Sequence, residues 1–103
     1  MTTDIKRYFE LATQPDTDAY FAQFTDDAVV EDEGKERHGI AEIRAWRTGV
    51  PRVHYDVLDV DRRGNGALAR VAISGTFPGS PVTLTFEFEY TAEGRIAVLR
   101  IRG

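Results

Sequence analysis

The chain opens with an apolar stripe. Ile5, Tyr8, Phe9, Leu11 and Ala12 recur at helical spacing, with Lys6, Arg7 and Glu10 between them, which predicts an amphipathic helix. Thr2 or Thr3 serves as its cap, with Asp4 in its first turn. Pro15 ends it, because the residue before a proline is pushed out of helical geometry. Asp16 caps a second helix whose stripe is Ala19, Tyr20, Phe21 and Phe24, stopped by Asp26-Asp27. Ala28-Val29-Val30 begins the first β-branched run, so a strand is expected through about Glu33. Gly34-Lys35 turns the chain, and Glu36 to Gly39 returns briefly. A third helix runs from Ile40 to about Arg47, with Ile40, Ile43 and Trp46 on one face. Gly49 and Pro51 close it.

From Val53 the period changes from helix to strand. Val53 to Asp61 breaks its alternation at Val57-Leu58, where a bulge is expected. Arg63-Gly64-Asn65-Gly66 reads as a hairpin turn, Ala67 to Phe77 as the next strand, and Pro78-Gly79-Ser80-Pro81 as another turn. Val82, Leu84, Phe86, Phe88 and Tyr90 alternate with Thr83, Thr85, Glu87 and Glu89, placing the first set on a buried face. Ala92-Glu93-Gly94 turns again before a last strand, Ile96 to Ile101. Helices followed by a β-meander argue an α+β fold, a curved antiparallel sheet wrapped around N-terminal helices. Such a sheet makes a cone, and its open mouth is where ligand pockets tend to form. The face left uncovered by helices, with Thr83 and Thr85, suits a second copy of the chain, so a homodimer is expected beside the alternative of a monomer with a polar outer face.

Composition narrows the function classes. The 103 residues make one domain, 1–103, with an ordinary globular balance of 42% apolar and 29% charged residues. The net charge is −4 and the basic residues are scattered, which argues against a nucleic-acid partner. There is no cysteine, hence no thiol nucleophile or thiolate metal site. The N-terminus shows no signal-peptide pattern and no apolar run approaches a membrane span, so a cytoplasmic protein without membrane contact is expected. His54 and Asp56 could share a strand face, but two ligands do not make a metal site.

The chemistry concentrates at Glu31 and Asp32. As strand neighbours they point to opposite faces. One faces water and the other faces whatever the sheet covers. If that is a pocket, the inward carboxylate is a candidate general base; otherwise it is a solvated strand end. Tyr8 lies on an apolar stripe, where a core tyrosine with a satisfied hydroxyl is the ordinary explanation. His38 is either a second acid or base near Asp32 or a plain turn residue.

Arg7-Tyr8-Phe9-Glu10-Leu11 and Asp26-Asp27-Ala28-Val29-Val30-Glu31-Asp32, with His38-Gly39 followed by Ile43 and Trp46, and Gly94-Arg95-Ile96 before the last strand, carry a family likeness. They resemble the nuclear transport factor 2-like superfamily and, within it, the ketosteroid isomerase and SnoaL-type polyketide cyclase group. The resemblance spans essentially the whole chain. It implies that Asp32 is the base moving a proton next to a carbonyl and that Tyr8 donates a hydrogen bond to the developing enolate oxygen, a chemistry known from the isomerases. It implies no cofactor and no metal, and a small apolar or carbonyl-containing ligand. Phe9, Phe24, Trp46, Phe86 and Phe88 would line an apolar pocket, with His38 beside it.

The departures from that pattern matter as much. Phe86 stands where the isomerases have an aspartic acid as second donor, and losing such a donor costs about two to three orders of magnitude in rate. Phe24 and Arg47 stand where supporting tyrosines are expected, and the sequence stops at Gly103, before the segment that walls the steroid site. Two readings follow: a cofactor-free isomerase or cyclase with Asp32 and Tyr8 at its centre, or a non-catalytic domain that binds an apolar ligand or a partner protein.

Overall fold

The computed structural model describes residues 5–14, 17–50 and 53–103. The expected caps Thr2, Thr3, Asp4 and Asp16, and the helix-ending Pro15 and Pro51, lie outside the described residues. Three helices, α1 (Ile5–Ala12), α2 (Thr17–Ala22) and α3 (Gly39–Thr48), cover one face of a six-stranded sheet. The strands are β1 (Phe24–Asp32), β2 (Lys35–His38), β3 (His54–Arg63), β4 (Gly66–Ser74), β5 (Val82–Tyr90) and β6 (Ile96–Arg102). Their order in the sheet is β2-β1-β6-β5-β4-β3. This is the expected α+β architecture, a curved sheet that does not close on itself.

Strands β3 to β6 form an antiparallel meander. The addition that pattern alone does not reveal is the pairing of β1 with β6, which is parallel. It joins the N-terminal half of the chain to the last strand. It also revises the reading of Phe24. Phe24 lies not on α2 but at the start of β1, opposite Ile96. The Ile96 amide donates to the Gln23 carbonyl at 2.7 Å, so a ladder bond replaces a further helical turn, a tertiary contact overriding local propensity. Asp26 and Asp27 therefore sit exposed within β1, at a register shift between Phe24 and Val29.

Elsewhere the local chemistry prevails. The expected break at Val57-Leu58 is a register shift between Val57 and Asp59. The β1–β2 turn is carried by Glu33 and Gly34, both at positive φ (55° and 75°), one residue earlier than Gly34-Lys35. Two central residues at positive φ match the twist of a hairpin. Strand β4 ends at Ser74, short of the expected Phe77, and the Gly75 amide donates to Ser80 Oγ at 3.0 Å. That early ending releases Phe77 from the sheet.

The core lies between α1 and the concave face. Phe9 meets Phe86 edge-on at 5.1 Å, and Tyr8 meets Phe88 at 5.2 Å, the arrangement aromatic quadrupoles prefer. Small residues make the room: Ala69 pairs with Phe86 and Ala67 with Phe88 across the β4–β5 ladder, and all four are buried. Each such ring contributes about 1.5–3 kcal/mol by its removal from water.

Candidate functional site

Strand parity sets the site. In β1, Ala28 and Val30 are buried and face the helices, so Asp32 at the strand's end points the same way, while Glu31 points to the opposite face. There Glu31 accepts from Arg102 Nη2 at 2.9 Å. Arg100 Nη1 donates to Glu87 at 3.0 Å and Glu89 at 2.8 Å. Glu31 is thus part of an ion-pair network on the outer sheet face.

Asp32 is half-buried and is held from above by α3. The Trp46 Nε1–H donates to Asp32 Oδ2 at 3.0 Å. Among the described residues no donor reaches Oδ1. Ile43 and Trp46 are the buried face of α3, one turn apart, so the packing that seats the helix also aims the indole at the carboxylate.

Both residues border a cavity of about 220 Å³. Tyr8, Asp32, Glu33, Trp46, Arg47 and Tyr55 supply its polar groups. Val50, Val53, Ile73, Phe77, Val82, Leu84, Phe86 and Ile101 supply its apolar wall. Phe77 reaches it because β4 ends early.

The Tyr8 hydroxyl is hydrogen-bonded to the Tyr20 hydroxyl at 2.8 Å in the buried core. If Tyr20 is the donor, the Tyr8 proton is left for another acceptor. Burial pushes the Tyr8 hydroxyl well above the usual tyrosine range, and Tyr20 beside it adds to the rise. Tyr20 is pushed up to about 12, again by burial, with Arg47 pulling the other way. Both are therefore neutral hydroxyls at neutral pH, able to donate and unfit to act as bases. Arg47 lies over the Tyr20 ring at 4.5 Å and donates from Nη2 to the Ala12 carbonyl at 2.8 Å. Burial by itself lowers its pKa, and Tyr20, Tyr8 and Tyr55 more than offset that.

Of the residues expected at a site, Tyr8, Asp32, Trp46 and Phe86 border one cavity. Phe9, Phe24 and Phe88 do not. They are buried in the core, because α1 fills that part of the cone: Phe9 packs on Phe88, and all three rings pack on Tyr8. His38 also stands away from it. It is exposed at the start of α3, with Nε2 3.1 Å from Glu36 Oε1, and its backbone amide donates to Glu42 at 2.7 Å. His54 is exposed on the edge strand β3.

Sequence reasoning did not single out Tyr20, Tyr55 or, apart from Phe86, the wall residues from β4, β5 and β6. For Tyr20 a signal existed. Tyr8 and Tyr20 both fall on apolar stripes of successive helices, and two buried hydroxyls facing one core must find partners, most simply each other. Tyr20 is therefore the hydrogen-bonded neighbour of Tyr8, at neither Phe24 nor Arg47, the two positions where the resemblance expects tyrosines. For Phe77 and Val53 no signal existed, since loop residues reach a cavity only through the folded path of the chain.

The family model described as "SnoaL-like domain" matches residues 5–99. The crystal structure of a candidate polyketide cyclase from Sinorhizobium meliloti is similar at 40% identity, covering 95% of this chain and 92% of that one, with a TM-score of 0.88. The epoxide hydrolase/cyclase-like enzyme SalBIII, described with a role in pyran ring formation in the polyether salinomycin, is 23% identical over 95% of this chain and 85% of its own, at a TM-score of 0.78. A nuclear transport factor 2-like protein of unknown function from an Exiguobacterium species is 24% identical, covering 95% of each chain, at 0.74. At these last two identities the likeness is one of fold. No curated protein matches the chain by sequence.

Proposed function

The chain belongs to the SnoaL-like domain family, and on that premise we propose that it is a small-molecule enzyme of the cyclase and isomerase type, moving a proton next to a carbonyl without a cofactor. Asp32 is the base and Tyr8 the hydrogen-bond donor. The observation that carries this reading is the Trp46–Asp32 bond at the edge of the cavity that Tyr8 also borders. One carboxylate oxygen is fixed and the other is left to accept a proton.

The chemistry follows from these groups. A ligand carbonyl accepts from the Tyr8 hydroxyl, which in turn accepts from Tyr20. Asp32 Oδ1 takes a proton from the carbon beside that carbonyl, leaving an enolate and a neutral Asp32. The enolate oxygen strengthens its bond to Tyr8, so the donor favours the transition state over the ground state. Where the ligand carries a double bond beside that carbon, the enolate is a dienolate, and Asp32 returns the proton at its far (γ) carbon, shifting the double bond, which is isomerisation. Alternatively the enolate carbon attacks a second carbonyl of the same molecule, and the alkoxide takes the proton, which is ring closure. Phe86 offers no second donor, so Tyr8 and its partner carry the oxyanion alone.

The test needs no knowledge of the natural substrate. Exchange of the α-hydrogens of cyclohexanone in D₂O, followed by proton NMR, should be accelerated by the protein. Asp32→Asn should lower the accelerated rate by about two to four orders of magnitude, and Tyr8→Phe should lower it less. A native protein no faster than an equal concentration of acetate would defeat the enzyme reading and leave a binding domain, the reading favoured by Phe86 in place of an acid.

We also propose that the outer sheet face pairs two copies of the chain. Thr83 and Thr85 and the network of Glu31, Glu87, Glu89, Arg100 and Arg102 lie on that face, opposite the helices. Light scattering on a sizing column should return twice the mass of the 11.6 kDa chain, and a monomer at micromolar concentration refutes the pairing.

A further inference from the structure

We infer that the cavity selects a small, largely apolar molecule carrying one anionic oxygen group, a carboxylate in the simplest case, with Arg47 as the residue that binds it. The inference rests on the reading of the cavity as a small-molecule site. Arg47 is half-buried in the last turn of α3 and borders the cavity. Among the described residues its guanidinium has no carboxylate partner. The guanidinium donates to the Ala12 carbonyl, lies over the face of Tyr20 and is hydrogen-bonded to the Tyr55 side chain, with Tyr8 nearby.

The contrast with Arg100 shows how unusual this is for the molecule. Arg100, also partly covered, is placed against Glu31, Glu87 and Glu89. A charge withdrawn from water is costly unless it is paired. The fold meets that need for Arg100 with carboxylates and for Arg47 only with neutral groups. A guanidinium has five N–H donors, and the Ala12 carbonyl and the Tyr55 hydroxyl, both neutral, take only part of that set. A ligand carboxylate would complete the set through the two-pronged geometry that arginine favours.

The acids of the cavity do not fill this role. Asp32 is bonded to Trp46, and Glu33 is exposed in the β1–β2 turn. Neither forms an ion pair with Arg47 among the described residues. The cavity therefore presents a cation beside neutral phenols, a carboxylate held by an indole, and apolar walls between. At about 220 Å³ it lies below the ~300–1,000 Å³ usual for drug-sized ligands, which suits a small molecule.

Trp46 is the single tryptophan of the chain and borders the cavity, so its fluorescence reports occupancy. The probes are hexanoate and hexanamide, alike in shape and different in charge. At pH 7 hexanoate should bind at least about tenfold more tightly, as charge-assisted bonds outweigh neutral ones. Arg47→Gln should bring the two to within about twofold. Equal affinities in the native protein, or a preference that survives Arg47→Gln, overturn the inference while leaving the pocket intact. Failure of both probes to bind at millimolar concentration overturns it together with the small-molecule reading.

Arg47→Gln also removes the Ala12 bond, so a second measurement uses the native protein alone. The carboxyl carbon of ¹³C-labelled hexanoate is followed by NMR through a pH titration in the bound state. Beside Arg47 the bound acid should titrate below free hexanoic acid, because a nearby cation favours the anion. Titration above the free acid is the signature of burial without a cation, and it refutes the assignment.

Discussion

Trp46 and Asp32, fourteen positions apart in sequence, are joined by a single hydrogen bond of 3.0 Å from the indole to the carboxylate. This bond ties α3 to the end of β1 and orients the group on which the proposed chemistry turns. In the proposed mechanism Trp46 is a positioning residue. Trp46→Phe keeps most of the packing and loses the donor. The folded state should lose about 1.5–3 kcal/mol, as for a hydrogen bond to a charged group, read from urea unfolding. Cyclohexanone exchange should slow by roughly ten- to a hundredfold through misplacement of the base. Unfolding that weakens while exchange is unchanged would confine Trp46 to a structural role.

The Tyr8–Tyr20 pair predicts an alkaline limit to stability. Both hydroxyls are raised in the folded state, chiefly by burial. They therefore bind protons more tightly folded than unfolded. Their stabilising contribution is complete below about pH 10, the pKa of an unfolded tyrosine, and is lost as pH rises toward the Tyr20 value of about 12. The urea midpoint should fall across this window, and the fall should be shallower in the Tyr8→Phe/Tyr20→Phe double variant.

The same pair should behave non-additively. Either single phenylalanine leaves the other hydroxyl buried without its partner, at about 1–3 kcal/mol. The double variant removes both polar groups and should cost less than the sum of the singles. Additive losses would mean that the 2.8 Å contact contributes little.

Glu33 offers a stabilising substitution. Its φ of 55° brings the Cβ of glutamate against the backbone, whereas asparagine visits that region more readily because its short amide bonds locally. Glu33→Asn creates the Asn-Gly pair that hairpins of this type prefer. The gain should be about 0.5–1 kcal/mol, measured by urea unfolding. No gain would show that neighbouring contacts of Glu33 offset the backbone strain.

Gly66 should resist substitution. A Cβ there would lie 2.5 Å from the Phe88 carbonyl oxygen, and that oxygen belongs to backbone that cannot swing aside. Gly66→Ala should destabilise by about 1–3 kcal/mol, the usual scale for overpacking. A substitution without cost would mean that the β3–β4 hairpin opens freely away from β5.

Much of the fold was legible because it follows from local periodicity. The clean alternation from Val82 to Tyr90 predicts β5 to the residue, and the broken alternation at Val57-Leu58 predicts the bulge in β3. Ile43 and Trp46 could be placed on the buried face of α3 from their spacing alone. Phe24 could not be placed correctly, since its fate depends on Ile96, far along the chain. The division within the aromatic set has the same origin. Phe9, Phe24, Phe86 and Phe88 are alike in pattern, but only Phe86 borders the cavity, because depth within the cone depends on how far α1 fills it.

The sequence by itself determined which residues face inward, that Asp32 and Glu31 part to opposite sides of one strand, and that Tyr8 belongs to a buried stripe. These are consequences of the two-residue and 3.6-residue periods of the backbone. Only the tertiary structure decided that Trp46 holds Asp32, that Tyr8 pairs with Tyr20, and that Arg47 stands at the cavity without a described counter-ion. Those relationships join elements that approach one another only when the sheet curves and the helices settle against it, and no local period encodes that approach.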